Sequence, residues 1–155
     1  MMDARDASAE RLIPHRGGML WIDRVLHCDA QRVVAEATVR TDHLLADEDA
    51  TGLPAWMGIE YMAQGIAAWA GGRALARGEE IKPGFLLGTR RYEARRPWLA
   101  FGLRLRIECE CELMGDNGLG LFACKLLDGE TEIASANVSV FEPPSPDDYL
   151  NDPNS

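Results

Sequence analysis

The sequence predicts an α+β domain in which an antiparallel sheet curls around one long apolar helix. Residues 53–77 are apolar on almost every side when they are placed on a helix, and a helix without a solvated face must be covered by other structure. Most of the remaining segments alternate apolar and polar residues, as half-buried strands do, and short turns join several of them. Short connections favour antiparallel pairing, so a single sheet with its dry face on the helix satisfies both patterns.

Two strands are predicted before the helix. Residues 20–26 are apolar enough for a first strand, and residues 33–39 alternate like a half-buried second strand. A turn at 28–31 joins them. An acidic loop at 41–52 then leads into the helix, which is predicted to begin at 53 with Pro54 in its first turn.

Four strands are predicted after the helix. The clearest alternation of the chain puts Cys109 and Cys111 on the dry face of one of them, which favours core thiols over metal ligands. Two Gly-containing turns, at 116–118 and 128–129, predict tight hairpins. The open edges of such a sheet predict dimerisation by edge pairing. The four strands span 84–96, 101–113, 119–127 and 131–141.

The bulk composition is that of one ordinary globular domain. The 155 residues are 46% hydrophobic and 26% charged, and we expect a domain at 11–141 between a disordered N-terminus, 1–10, and a flexible Pro- and Asp-rich tail, 142–155. No segment resembles a secretory signal or a membrane span. Four cysteines without CxxC spacing predict reduced thiols and no zinc site. We therefore expect a cytoplasmic protein without metal.

The charge is unevenly distributed along the chain. Residues 73–106 carry nine Lys/Arg against three Glu, a local charge of +6, which leaves −15 for the rest of a chain whose net charge is −9. A basic patch on an acidic protein suits a small anionic ligand or partner better than nucleic acid, which favours domains that are basic overall. For most of these residues, however, the simpler interpretation is an outward-facing position on a strand.

Glu60 is the most informative residue of the helix. It is one of two plainly polar residues, with Gln64, among the first 20 positions of an apolar segment, and Glu is almost never fully buried without a partner. Gln64 lies at i+4, where its amide could donate a hydrogen bond to the carboxyl group. Two interpretations remain open from composition alone: a structural polar pair in the core, or a functional site.

Three stretches resemble a known family. These are 12–26 (LIPHRGGMLWIDRVL), 53–64 (LPAWMGIEYMAQ) and 86–97 (LLGTRRYEARRP). They are similar to the hotdog-fold beta-hydroxyacyl acyl-carrier-protein dehydratases of bacterial fatty acid synthesis, and most similar to the divergent dehydratase-like proteins of aryl-polyene gene clusters. The correspondence covers roughly 11–141 and implies a hotdog fold.

The resemblance also implies roles for individual residues. Glu60 falls on the catalytic acid of the family, and Gln64 on the Gln that follows it. Ala55 falls on the Gly whose backbone N–H binds the thioester carbonyl. Trp56 could line an acyl tunnel, although aromatic residues at helical spacing are more often core. The Gly-His-Phe-Pro segment that carries the general base of the family is not present, and His43 is the nearest candidate.

The implied reaction is dehydration of a (3R)-hydroxyacyl carrier thioester to the trans-2-enoyl thioester, without a cofactor. A His base would take the C2 proton, and a Glu acid would protonate the departing hydroxyl group. Two alternatives remain. One is a hotdog thioesterase. The other is a partner subunit that supplies Glu60 to a paralogous hotdog chain carrying the histidine, since in this class the two residues come from opposite protomers.

The resemblance further implies an acyl carrier protein as partner and a homodimer or higher oligomer. Carrier proteins are acidic, so on a chain of net charge −9 a docking surface needs local positive charge. The sequence offers Arg90, Arg91, Arg95 and Arg96 on the strand after the helix. Strict alternation would put Arg91 and Arg95 on one face and the other two on the opposite face.

Overall fold

The computed structural model describes residues 21–41, 51–79 and 85–142, with side chains from residue 88 onward in the last segment. A helix, α1 (Gly58–Ala76), follows a short 3₁₀ turn (Ala55–Met57). The strands are β1 (Arg24–Cys28), β2 (Arg32–Thr38), β3 (Gly52–Pro54), β4 (Phe85–Ala94), β5 (Trp98–Ala100), β6 (Arg104–Met114), β7 (Leu119–Asp128) and β8 (Thr131–Phe141).

Six strands form one antiparallel sheet in the order β1-β2-β6-β7-β8-β4, and β3 pairs with β5 in a separate two-stranded ladder. Helix α1 lies against the dry face of the large sheet and contacts its strands. The α+β class and, within the described residues, one α-helix packed on an antiparallel sheet are thus confirmed. Within the described residues, β1 and β4 are the edges of this sheet, and β4 reaches its edge position because the chain crosses the sheet with α1.

Helix α1 is apolar because most of its surface is covered. Tyr61 and Met62 are fully buried, and Trp69 packs edge-on against Phe122 of β7, with ring centroids 5.3 Å apart. A stripe that includes Ala63 is only half-buried. The prediction of a helix enclosed by other structure is therefore correct for the side that faces the sheet.

The helix begins later than predicted because residues 52–54 pair as a strand. Gly52 lies opposite Ala100, and Pro54 opposite Trp98. Pro54 is extended (φ −54°, ψ 141°) and precedes the 3₁₀ turn, so it does not occupy the first turn of the α-helix. Gly52 is required at this contact, since a Cβ there would lie 2.3 Å from the carbonyl oxygen of Leu99.

Three of the predicted strands match the observed ones closely, and two begin later than predicted. The strand at 131–141 is confirmed with its bounds, and those at 33–39 and 119–127 agree to within one residue. The segment 101–113 was predicted as one strand, which is wrong at its start: β5 ends at Ala100, a turn with Gly102 at φ +87° follows, and β6 begins at Arg104. Strand β1 begins at Arg24 rather than at 20.

Strand β4 contains a bulge that changes the predicted side-chain directions. Arg90 pairs with Asn137 and Glu93 with Ser135, so three steps along β4 match two along β8. Arg91 lies in the bulge with φ +55°, a conformation that non-glycine residues rarely adopt. Strict alternation therefore does not hold across this segment, and the predicted grouping of the arginines by face is wrong.

The cysteines of β6 and β7 are free thiols in the core. Cys109 lies directly opposite Cys124, both are buried, and the Cys109 thiol donates a hydrogen bond to the carbonyl oxygen of Met62, at 3.6 Å. The hydrogen bond with Cys124, together with burial, holds the pKa of Cys109 well above its usual range. Cys111 is half-buried. The prediction that Cys109 and Cys111 lie on the dry face is confirmed for Cys109, which is buried, while Cys111 packs against the core from a half-buried position.

Some predicted features fall outside the described residues. These are the disordered segment 1–10, most of the acidic loop at 41–52 and most of the tail at 142–155. In the segments described, no helix combines the length and apolarity that a bilayer crossing requires.

The β1–β2 turn allows a test of stability against pH. Asp29 Oδ1 accepts hydrogen bonds from the N–H groups of Gln31 and Arg32, at 2.8 and 2.9 Å, and Oδ2 lies 2.7 Å from Nε2 of His27. The bond to His27, followed by those to the backbone, lowers the pKa of Asp29 from 3.8 to about 2. Because the folded-state pKa is depressed, the charged carboxylate stabilises the fold above pH 3.8 and ceases to do so as the pH falls towards 2.

We expect Asp29→Ala to lower the free energy of unfolding by about 1 kcal/mol at neutral pH, since two backbone donors lose their acceptor. Chemical denaturation at several pH values measures the difference, which should narrow below pH 3.8. Asp29→Asn is the matched control, because its side chain keeps an acceptor for the turn and does not titrate. A difference between wild type and Asp29→Ala that does not change with pH would contradict the assignment.

Candidate functional site

The site predicted from the sequence centres on Glu60 and Gln64, one turn apart on α1. Nε2 of Gln64 donates a hydrogen bond to Oε1 of Glu60, at 3.0 Å, so the predicted contact between them is confirmed. The other end of the same amide, Oε1, accepts a hydrogen bond from the backbone N–H of Trp21, at 2.8 Å. Gln64 thus ties Glu60 to the segment that enters β1.

The environment of this pair explains why a glutamine is tolerated in the core. Gln64 is 0% exposed and is the buried polar residue among the otherwise apolar core residues described. A buried amide is stable only when its donor and acceptor are both satisfied, and here both ends have partners. Glu60 is half-buried, and Gln64 holds one oxygen of its carboxyl group.

The 3₁₀ turn before α1 is fixed by hydrogen bonds at Ala55. Its N–H donates to the carbonyl oxygen of Pro97, at 3.0 Å, which extends the β3–β5 ladder. Its carbonyl oxygen accepts from the N–H of Gly58 and from the hydroxyl group of Tyr92. The resemblance assigns the Ala55 N–H to the thioester carbonyl, and this expectation needs correction, because the ladder already uses that donor.

Two tryptophans flank this turn on the surface. Trp56 is 58% exposed, and Trp98, opposite Pro54 in the ladder, is 51% exposed. Trp56 is therefore not a core residue, and it lies on the turn that precedes Glu60. Met57, Met62 and Trp69 are buried and belong to the core.

The four arginines of the predicted docking surface differ in their partners. Arg95 pairs with Glu132 and Arg96 with Asp128, each at 2.9 Å. Arg90 and Arg91 are exposed, and neither has an acidic partner among the residues whose side chains the structure describes. The arginines without a described acidic partner, Arg90 and Arg91, thus lie at the β4 bulge, whereas the paired arginines lie after the end of β4.

The structure describes His27 but not the candidate general base. His43, the candidate base, lies outside the described residues. His27 pairs with Asp29 at the β1–β2 turn and has a structural role there. Among the described residues, no group of three or more His, Cys, Asp or Glu side chains could hold a metal ion.

Sequence reasoning did not assign a role to Tyr92. Its hydroxyl group contacts the turn before α1 across 37 residues of chain, and no local pattern could reveal such a contact. The available signal was an aromatic residue among arginines in the second half of β4, where its neighbours Arg90, Arg91 and Glu93 are exposed.

Comparison with solved structures identifies the class. Over 95% of this chain and 99% of the other, the fold matches a chain of the dehydratase heterocomplex ApeI:P from Xenorhabdus doucetiae, with a TM-score of 0.82 and 27% identity. A mutant of the phenylacetic acid degradation protein PaaI from Thermus thermophilus matches over 77% of this chain and 91% of that one, with a TM-score of 0.57 and 19% identity. Like these proteins, the chain has a hotdog fold.

The family follows from the sequence itself. Residues 7–151 match the model of the ApeP-like dehydratases, described as ApeP dehydratase, and the chain belongs to this family. A search of curated proteins gives no significant match. A hypothetical thioesterase from Streptococcus pneumoniae, solved with coenzyme A, shares the fold at 15% identity with a TM-score of 0.56, over 77% of this chain and 84% of that one.

Proposed function

We propose that this chain takes part in removing water from a (3R)-hydroxyacyl thioester on an acyl carrier protein, which yields the trans-2-enoyl thioester. The observation that carries the proposal is the Glu60–Gln64 pair, held on the apolar helix of an ApeP-like dehydratase. A half-buried carboxyl group that a buried amide orients suits an acid that must meet a bound hydroxyl group.

The proposed elimination moves two protons and two electron pairs, those of the C2–H and C3–O bonds, and the second pair leaves with the oxygen. A base takes the proton from C2, the C2–H electrons form the C2–C3 double bond, and the C3–O bond breaks. Glu60 gives its proton to the leaving hydroxyl group, so that water departs and the carboxylate is protonated again from the base. Gln64 keeps the carboxyl group oriented through this cycle, because its own amide is anchored at Trp21.

The uncertain origin of the general base is the reason to propose a second subunit. The sequence lacks the Gly-His-Phe-Pro segment of the dehydratases that it resembles, and His43 is the candidate within this chain. The ApeI:P structure is described as a dehydratase heterocomplex, and this chain matches it over almost its whole length. We infer that the working assembly pairs this chain with a second hotdog chain, in which the base comes from one subunit and Glu60 from the other.

Activity on mixing tests this assembly. The purified chain alone, a candidate hotdog partner alone, and their mixture are given a 3-hydroxyacyl carrier thioester, and the enoyl product is followed by its ultraviolet absorbance. Activity only in the mixture supports the shared site. Full activity of this chain alone supports His43 as its own base and argues against the need for a partner.

A thioesterase is the second candidate, since a carboxylate on this helix could also activate water for thioester hydrolysis. The likeness to the hypothetical thioesterase shows the fold alone. Release of a free thiol, detected with a thiol reagent while no enoyl product forms, would favour hydrolysis over dehydration.

Carrier docking predicts a salt-dependent effect of Arg90 and Arg91. An acidic carrier is attracted by exposed positive charge, and these two arginines are not neutralised by described acidic residues. We expect Arg90→Glu together with Arg91→Glu to raise the KM for the carrier-bound substrate about tenfold, with a smaller effect in high salt. Steady-state kinetics at two ionic strengths measures this effect.

Two comparisons make the docking test specific. Arg95→Glu with Arg96→Glu should raise KM less, because those side chains already pair with Glu132 and Asp128. An N-acetylcysteamine thioester needs no docking, so its turnover should hardly change in either variant. Equal losses on both substrates would mean that the arginines shape the site or the fold, and would contradict the docking proposal.

A further inference from the structure

Tyr92 is turned inward by the bulge of β4. The bulge adds one residue to β4 between Arg90 and Glu93, and Arg91 adopts a positive φ there. Arg91 and Glu93 are exposed, whereas Tyr92 between them is half-buried and packs against the core. Bulges commonly redirect a side chain in this way, and here the side chain points to the start of α1.

The Tyr92 hydroxyl group contacts the turn that precedes α1 and the first residue of α1 itself. It donates a hydrogen bond to the carbonyl oxygen of Ala55. It also fills the space beside Gly58, where an added Cβ would lie 2.4 Å from the hydroxyl oxygen. Burial raises the pKa of Tyr92, so the hydroxyl group keeps its proton at neutral pH and remains a donor.

These contacts place Tyr92 within a set of hydrogen bonds that fixes the turn. The Ala55 carbonyl oxygen accepts hydrogen bonds from the Tyr92 hydroxyl group and from the Gly58 N–H, while the Ala55 N–H donates to the carbonyl oxygen of Pro97. Tyr92 and Pro97 both follow α1 in the chain, so a later segment fixes the start of the helix. Glu60 is only two residues beyond Gly58, and small displacements of a catalytic group can cost large factors in rate.

We propose that Tyr92 is a positioning residue: through Ala55 and Gly58 it fixes the start of α1 and so the position of the Glu60 carboxyl group. This inference rests on the proposed dehydration for its consequence in catalysis. Tyr92 acts through the turn and does not take part in proton transfer, since its own proton is committed to the Ala55 carbonyl oxygen.

Tyr92→Phe tests the proposal, because it removes the hydroxyl group and keeps the ring that packs against the core. We expect kcat for dehydration to fall about tenfold while KM stays within about twofold, since the effect of one hydrogen bond on positioning is felt at the chemical step. A variant that is merely less stable would lose thermal stability without this separation of kcat from KM.

Gly58→Ala tests the same contact from the other side. Its Cβ would lie 2.4 Å from the Tyr92 hydroxyl oxygen and 2.8 Å from Cδ1 of Leu126, so it would displace the hydroxyl group and press on the core, and kcat should fall at least as far. In the Tyr92→Phe background, Gly58→Ala should cost less than it does in the wild type, because the contact with the Tyr92 hydroxyl group is already lost and only the contact with Leu126 remains. Fully additive losses would mean that the two residues act separately, and would overturn the proposal.

Two measurements by NMR keep this test independent of activity. In Tyr92→Phe, the backbone amides of Ala55 and Gly58 should exchange with solvent faster than in wild type, while amides of β7 and β8 do not change. The side-chain amide signal of Gln64, which donates to Glu60, should shift as the carboxyl group moves. Failure of the wild type to dehydrate would refute the proposed function alone.

The inference itself is overturned by either of two results. One is unchanged exchange at Ala55 and Gly58 together with an unmoved Gln64 signal. The other is an altered turn in a Tyr92→Phe variant whose kcat equals that of an active wild type.

Discussion

Glu60→Gln is expected to reduce dehydration about a thousandfold, because the departing hydroxyl group loses its proton donor. The fold should hardly change, since the new amide oxygen can still accept the hydrogen bond that Gln64 donates to Glu60. Initial rates of enoyl formation measure the loss, and the midpoint of thermal unfolding verifies that the variant is folded.

Glu112→Gln is the matched control. Glu112 is an exposed residue of β6 on the sheet, and its change removes the same charge without touching the helix. Wild-type activity is expected for it. Equal activity of Glu60→Gln and Glu112→Gln would remove Glu60 from the mechanism.

Gln64→Met is expected to have the next largest effect, on both stability and rate. The change roughly keeps the volume of the side chain but removes both hydrogen bonds, so the N–H of the buried Trp21 loses its acceptor. The free energy of unfolding should fall by about 2 kcal/mol, the usual cost of a buried polar group left unpaired. Denaturant titration measures this change.

The rate should fall in the same variant because Glu60 loses the amide that orients it. We expect kcat to fall about tenfold to a hundredfold, measured below the unfolding transition so that all of the protein is folded. A variant with wild-type kcat and lowered stability would assign Gln64 to the core alone, which is the structural interpretation that composition left open.

The alternation of apolar and polar residues predicted the bounds of the strands well within the large sheet. In β8, Ala136 and Val138 are buried between more exposed neighbours, Ala134 is buried beside the buried Ile133, and the observed bounds are those predicted. The pattern failed at 52–54 and 98–100, because the ladder between them joins segments 46 residues apart, and nothing local reports such pairing. The apolar residues before α1 were therefore assigned to the helix.

The candidate site was predictable only as far as it is local. The i+4 spacing of Glu60 and Gln64 was sufficient to predict their hydrogen bond. The acceptor that Gln64 offers to Trp21 depends on how β1 enters the sheet, 43 residues earlier in the chain. The bulge that directs Tyr92 inward depends on the register of β4 against β8, which no residue pattern specifies.

The intact mass of the carrier protein after a single turnover tests the proposed function most directly. The wild-type chain and the Glu60→Gln variant, each with the same hotdog partner present, are incubated with a 3-hydroxyacyl carrier thioester. Wild type should give a carrier that is still acylated and lighter by one water, while the variant leaves the carrier unchanged over the same time. A carrier without its acyl group, or equal loss of water with both proteins, would contradict a dehydratase in which Glu60 is the acid.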